Sequence, residues 1–252
     1  MRNNDLLQNT SNSIRIEQEL SQGRKIKENA ENIWGWDSPA GKIRASRRAQ
    51  YFLKLTNMNS DCEVLEIGCG TGLFTEKVAK SGAVITATDL SENLLEFTKK
   101  KNIPNCKIEI ADAHKLKYPD SHFEVVYGSS ILHHLDIDIA LKEIYRVLKS
   151  NGQIVFAEPN MLNPQIFLER HIAFLRKLMN NTPDETAIRR HVIKEKLKRH
   201  GFIDIKVFPY DFLHPSMPPF LIGLAEKIGF FIEKLPLVRE IAGSLIIYGV
   251  KK

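Results

Sequence analysis

Cysteine is scarce in this chain: three residues among 252, Cys62, Cys69 and Cys106. Their spacing pairs none of them and matches no metal-ligand pattern, which argues against a disulfide framework or a zinc site. Two of them fall on predicted buried strands, so the sequence reads as a reduced, cytoplasmic protein. No run reaches the roughly 18 apolar residues of a membrane span, and no charged-then-apolar leader opens the chain. Neither a spanning helix nor a secretory leader is therefore expected. Nothing repeats internally. RNA-binding motifs and interleaved aromatic and basic residues are also missing, which speaks against a nucleic-acid partner.

What is present is an ordinary globular composition, 43% hydrophobic and 26% charged. A chain of 252 residues can bury a full core and fits one large α/β domain, alone or with a small appendage. Net charge is +6, and its location says more than its sum. Between Met161 and Lys206, ten Lys and Arg stand against five Asp and Glu. A positive face there suits an anionic membrane, a phosphorylated acceptor or, third, RNA. A solvated helical face explains it equally well.

The densest signal is Val64-Leu65-Glu66-Ile67-Gly68-Cys69-Gly70-Thr71-Gly72. A buried strand, Cys62 to Ile67, runs into a glycine-rich turn, and Leu73 to Ala79 follows as a helix. Alternating glycines let the backbone take positive φ and approach a ligand without a Cβ in the way. The helix behind them offers free N–H groups and a positive dipole end. Leu73 occupies the third-glycine position of the dinucleotide fingerprint G-x-G-x-x-G, which disfavours a nicotinamide cofactor. Taken alone, the triplet is also compatible with a plain strand-to-helix turn.

Other features line up behind it. A second strand, Ala83 to Asp89, ends on an acid 17 residues past Gly72, where a ribose-binding carboxylate belongs. Leu90-Ser91 opens a helix through Lys101, with Ser91 as its cap. A third strand, Cys106 to Ala111, is followed by Asp112-Ala113. The fourth, Phe123 to Gly128, leads into Ser129-Ser130-Ile131-Leu132-His133-His134. An amphipathic helix spans Asp136 to Leu148, with Ser150-Asn151-Gly152 as its stop signal. A fifth strand, Gln153 to Ala157, ends at Glu158-Pro159-Asn160.

The pattern E-x-G-x-G-x-G and the ordered features from Cys62 to Asn160 resemble the class I S-adenosylmethionine-dependent methyltransferases, in particular those that methylate sugar and small-molecule oxygens. The resemblance implies an α/β fold: a Rossmann-like seven-stranded sheet, mostly parallel with the last strand antiparallel, and helices on both faces. It adds N-terminal helices and a helical insertion after strand five. It further implies S-adenosylmethionine as cofactor, held by Glu66, Gly68, Cys69, Gly70, Gly72 and Ser129. Asp89 and Leu90 would serve the ribose, and Asp112 and Ala113 the adenine. The paired histidines look like those of that subgroup, with His133 or His134 as proton acceptor and Glu158 nearby as a third catalytic group. A helix cap or packing on the cofactor is the plain alternative for either histidine.

The implied organisation is a helical lid over residues 1–60, then a methyltransferase domain over 61–252. Within it, 61–160 forms the cofactor half and 161–252 the acceptor half. The N-terminal stretch holds a helix from Ile14 to Ala30, then Trp34-Gly35-Trp36-Asp37-Ser38-Pro39-Ala40-Gly41. A further helix follows from Lys42 to Leu55, with Ile43, Arg47, Tyr51 and Leu55 on one stripe. Trp34 and Trp36 either cover the cofactor or anchor the first helix as core aromatics. Beyond Asn160 the sequence reads as a helix from Asn163 to Met179, another from Asp184 to His200 and a sixth strand from Gly201 to Val207. After a loop from Pro209 to Pro219 come an apolar helix, Phe220 to Leu235, and a last strand, Ser244 to Val250, expected antiparallel at the sheet edge.

Asp136 and Asp138 would point different ways on a helix, so no metal site is expected. The acceptor is expected to be small or lipid-linked and methylated on oxygen. Phe220 to Leu235, together with Arg170, Arg176, Lys177, Arg189 and Arg190, suits an amphiphile or peripheral contact with an anionic membrane. A non-catalytic binding or scaffold protein, or a protein or RNA acceptor, is the alternative. The sequence leaves the oligomeric state open.

Overall fold

The structure, a computed structural model, describes residues 16, 17, 21, 30–172 and 188–252. Helix α1 (Ala30–Ile33) leads through a turn to α2 (Pro39–Thr56), followed by strand β1 (Glu63–Ile67). Then come α3 (Leu73–Val78), β2 (Val84–Asp89), α4 (Glu92–Lys100), β3 (Cys106–Ile110) and β4 (Phe123–Ser129). The second half adds α5 (Ile137–Val147), β5 (Leu148–Pro159), α6 (Pro164–His171), α7 (Arg190–Arg199), β6 (Phe202–Tyr210), α8 (Pro219–Ile232) and β7 (Ser244–Lys251).

The strands form one seven-stranded sheet in the order β3-β2-β1-β4-β5-β7-β6. Strands β1 to β5 pair in parallel, and β7 runs antiparallel to both its neighbours. This is the Rossmann-like sheet expected from the sequence, with one correction. Strand β7 lies inside the sheet between β5 and β6, and β6 takes the edge. Alternate residues feed two apolar layers. Leu65, Ile67, Phe123 and Val126 pack under α5 and α7 through Leu141, Ile144, Ile193 and Leu197. On the other face Val64, Ile85 and Val125 pack under Phe52 of α2, Phe74 of α3 and Leu95 of α4.

Helix starts follow their caps. Ser38 accepts from the Gly41 N–H, Ser91 from Leu94, and Asn163 from Ile166. Asp136 accepts from Asp138 and Ile139 at the head of α5, so neither histidine caps that helix. The stripe Ile43, Arg47, Tyr51 and Leu55 is half-buried, and the buried face of α2 is Ala45, Arg48, Ala49, Phe52 and Thr56. Small alanines seat the helix against its neighbours, and a search for large apolar residues passes over them. Ser150-Asn151-Gly152, read as a helix stop, instead forms an irregularity inside β5, where pairing with β4 shifts register. Asn151 takes φ +63°, and a Cβ on Gly152 would lie 2.7 Å from the Lys149 carbonyl oxygen.

Most of the predicted helix Ile14–Ala30 lies outside the described residues, as do 173–179 of the predicted helix Asn163–Met179 and 184–187 of the predicted helix Asp184–His200. Arg176 and Lys177 of the basic stretch fall there too. Among the described residues, no helix is long and apolar enough to cross a membrane.

Candidate cofactor and acceptor site

Strand order reverses at β1, which has β2 on one side and β4 on the other. In open α/β sheets such a reversal leaves a crevice at the carboxyl ends of the strands. The sequence-predicted residues sit at those ends: the glycine loop after β1, Asp89 closing β2, Asp112 after β3, Ser129 closing β4 and Glu158 near the end of β5.

Gly68, Gly70 and Gly72 have φ of +70°, +55° and +78°. A Cβ on Gly68 would lie 2.6 Å from the Ile131 side chain, and one on Gly72 would lie 2.7 Å from Thr98. At Gly70 the nearest atom would be Trp34 Cη2 at 3.5 Å, an ordinary contact, so there φ alone demands glycine. Cys69 N–H donates to the Thr88 carbonyl at 2.9 Å and Thr98 Oγ1 donates to the Gly70 carbonyl at 2.8 Å, which fixes the loop. Asp89 is oriented by two backbone donors, Gly70 N–H to Oδ2 and Ser91 N–H to Oδ1, each at 2.9 Å. Leu90 is half-buried between Asp89 and the cap. Asp112 Oδ1 accepts from the His114 N–H at 3.0 Å, and Ala113 is buried in the core beside it.

Glu66 points into the layer under α2 and α3, 1% exposed, and accepts from Thr75 Oγ1 at 2.5 Å. Burial pushes its carboxyl up to about 7, against the Thr75 hydrogen bond, with the Asp89 charge adding to the rise. Between pH 4.5 and 7 the folded chain holds a proton that the unfolded chain has released, so stability falls as pH rises through that window. A rise of this size corresponds to about 3 kcal/mol. Glu66→Gln stays neutral throughout and should gain about that much over the parent at pH 8 relative to pH 4, read by urea unfolding. A difference that does not change with pH would contradict the assignment.

Past β4 the chain makes a short 3₁₀ turn, Leu132–His134, which turns the two histidines differently. His133 is buried, and its Nδ1 meets Glu158 Oε2 at 2.7 Å. Glu158, fully buried, also accepts the N–H groups of Ile131 and Leu132 through Oε1, both at 2.9 Å. Burial alone would raise the Glu158 carboxyl; the His133 contact and these two donors outweigh it and hold the group below the usual carboxylate range. His134 is half-buried, its ring centroid 4.1 Å from that of His133. The acids considered for a metal have structural partners: Asp136 caps α5, and Asp138 pairs with Lys196 and His200.

Sequence reasoning missed Arg48. It is 3% exposed, and its guanidinium donates to Tyr210 Oη, Ser129 Oγ, Ser130 Oγ and Ser244 Oγ at 2.8 to 3.1 Å. Arg44 and Arg47, on the same helix, pair with Asp211 and Glu233. Among the described residues no carboxylate pairs with Arg48, so its charge rests on hydroxyls and on the rings of Trp36 and Phe74. A buried cation without a counter-ion is costly. The available signal was the spacing of Ala45, Ala49 and Phe52, which turns Arg48 inward.

Trp36, half-buried, packs edge-on to Phe74 at 5.4 Å against the core, and Trp34 lies over Gly70. Gly41 permits this turn, since a Cβ there would lie 1.9 Å from the Gly35 carbonyl. Glu31 Oε1 accepts from Thr71 Oγ1 and Lys101 Nζ, both at 2.9 Å, tying α1 to the glycine loop.

A glycine loop after β1, an acid at the end of β2 and a reversal of strand order together define a nucleoside-cofactor-binding α/β protein. The methyltransferase-domain family model matches residues 65–156. The demethylmenaquinone methyltransferase of Staphylococcus aureus (strain JH9) is 30% identical over 179 residues, covering 62% of this chain and 73% of that protein. The ubiquinone/menaquinone biosynthesis C-methyltransferase UbiE of Rickettsia akari (strain Hartford) is 32% identical over 132 residues, 47% of this chain. This chain spans about half of that relative's length, 52%. A solved methyltransferase from Archaeoglobus fulgidus superimposes with a TM-score of 0.61 at 21% identity, covering 83% of this chain and 94% of that one. The chain belongs to the class I S-adenosylmethionine-dependent methyltransferase family.

Proposed function

We propose that this protein transfers a methyl group from S-adenosylmethionine to a small or lipid-linked acceptor, on oxygen. The observation that carries the reading is the buried His133–Glu158 pair, built at the strand ends beside the glycine loop and Asp89. The donor set fits the cofactor. Asp89 suits the ribose hydroxyls, Asp112 with the backbone at Ala113 suits the adenine edge, and the buried Arg48 charge suits the methionyl carboxylate. Residues 1–60 act as the lid through Trp34 and Glu31, 61–160 hold the cofactor and 161–252 shape the acceptor pocket.

When bound, the sulfonium supplies an electrophilic methyl group. The protein's part is to align the acceptor, exclude water and take up one proton. Glu158 holds the His133 Nδ1–H, so Nε2 is the basic nitrogen that receives the acceptor's hydroxyl proton. Glu158 then stabilises the imidazolium. Peripheral contact with an anionic membrane is part of this reading, since a lipid-linked acceptor resides there.

A second reading, transfer to carbon, is favoured by the C-methyltransferase name of the Rickettsia relative. Loss of a ring hydroxyl proton makes the neighbouring carbon nucleophilic as well, so the same pair serves both. Incubation with S-adenosylmethionine labelled in its methyl carbon, across a panel of hydroxylated aromatic and lipid acceptors, decides between them. Label on oxygen is expected, and label on ring carbon would establish the second reading. Tight cofactor binding without transfer to any acceptor would leave a binding protein.

A further inference from the structure

Helix α8 is built inside out. Ile222 and Gly229 face the protein, while Phe220, Leu224, Ile228 and Phe231 are exposed, Phe220 at 84% and Phe231 at 63%. At 100° per residue, these four side chains fall within one 80° sector of the helix surface. Leu237, 88% exposed, extends the patch past the helix end. Exposed apolar side chains grouped in this way mark a docking site.

The charges decide what docks. Every carboxylate between Pro219 and Ile241 turns inward. Glu233 pairs with Arg47, Glu240 pairs with Arg190, and Glu226 is half-buried beside Arg44 and Arg47. Lys227 on the helix and Lys234 just past its end are both exposed beside the apolar sector. The rim is therefore cationic only. A two-fold contact with a second copy would set these lysines against each other with no exposed acid of the helix to meet them. An anionic bilayer surface offers both what the apolar sector and what the rim require.

We infer that α8 lies in the interface of an anionic membrane, with Phe220, Leu224, Phe231 and Leu237 among the acyl chains and Lys227 and Lys234 at the headgroups. With 14 residues, α8 is about 21 Å long. It rests in the membrane plane and does not cross it. Helix α6 joins the same face. Gln165 meets His214 at 3.0 Å in the loop before α8, and Asn163 donates to the Ile241 carbonyl at 2.8 Å. Exposed Phe167 and Leu168 thereby extend the apolar area. The inference rests on the lipid-linked acceptor reading for its purpose and on the helix's own pattern for its geometry.

The test is co-sedimentation of the full chain with phosphatidylcholine vesicles with and without phosphatidylglycerol, in the absence of any acceptor. Binding should require phosphatidylglycerol and weaken as salt rises. Lys227→Gln and Lys234→Gln should each lower the partition coefficient about fivefold. Phe231→Ser with Leu237→Ser should abolish binding while leaving the melting curve unchanged. Absence of binding at low salt, or binding that these variants do not alter, would overturn the proposal. So would a concentration-dependent dimer that the serine variants break. Because vesicle binding is read without turnover, it can fail while methyl transfer stands, and the reverse.

Discussion

His133→Ala should lower the rate of methyl transfer about 10²- to 10⁴-fold, the range for a lost general base, with cofactor affinity nearly unchanged. The structure distinguishes between neighbours that are equivalent in sequence. His133 has a buried carboxylate on Nδ1 at 2.7 Å, and that carboxylate is itself fixed by two backbone donors. A base held in this way has its tautomer set and its charged form stabilised in advance. His134 lies half-buried alongside, and His134→Ala is expected to cost less than loss of the carboxylate-held ring. Glu158→Gln keeps the shape but withdraws the charge that stabilises the imidazolium, and should lower turnover by an intermediate factor. Single-turnover rates with a hydroxyl acceptor, beside calorimetry of the cofactor product, provide the check. Normal turnover in both single histidine variants and in the double variant would remove the role.

Asp89→Ala should weaken binding of S-adenosylmethionine and of its demethylated product roughly 10- to 150-fold. A hydrogen bond to a charged acceptor is worth about 1.5–3 kcal/mol, and each 1.4 kcal/mol is tenfold in affinity. Asp89 also accepts from the Gly70 N–H, so removing it releases the loop as well as the ribose contact. Asp89→Asn keeps an acceptor oxygen for that N–H and should recover part of the loss. The Asp89 charge is one of the groups raising Glu66, so its removal should also move the Glu66 titration down. Unchanged affinity by calorimetry in Asp89→Ala would sink the ribose assignment.

The cofactor half was legible because its signals are local. Each strand from β1 to β4 is a short segment rich in apolar residues or alternating with them, followed closely by glycine or an acid, and the acids that matter stand at those closures. The acceptor half depends on pairing between distant segments, which leaves little local trace. Nothing in Ser244 to Lys251 says that it inserts between β5 and β6 instead of closing the edge. The difference between His133 and His134 comes from one 3₁₀ turn, below the resolution of a periodicity argument. Arg48 was hidden because a stripe of alanines looks weak beside one of Ile, Tyr and Leu. Phe220 to Leu235 read equally well as core or as surface, since it is apolar on most sides. The exposure of Phe220, Leu224, Ile228 and Phe231 separates the two.

The insertion of β7 also imposes an order on synthesis. Strands β1 to β5 can pair as they leave the ribosome, but β6 awaits the segment that joins it to β5, and that segment is made after both. Until then β5 presents an unpaired edge carrying Glu158, and Ser244, one of the four hydroxyls around Arg48, is missing from its place. The nascent chain should therefore pass through a stage with a formed cofactor cradle and an open, adhesive sheet edge beside it. That interval is when a chaperone would find the chain, and when a cofactor could engage it before the set of hydroxyls around Arg48 is complete.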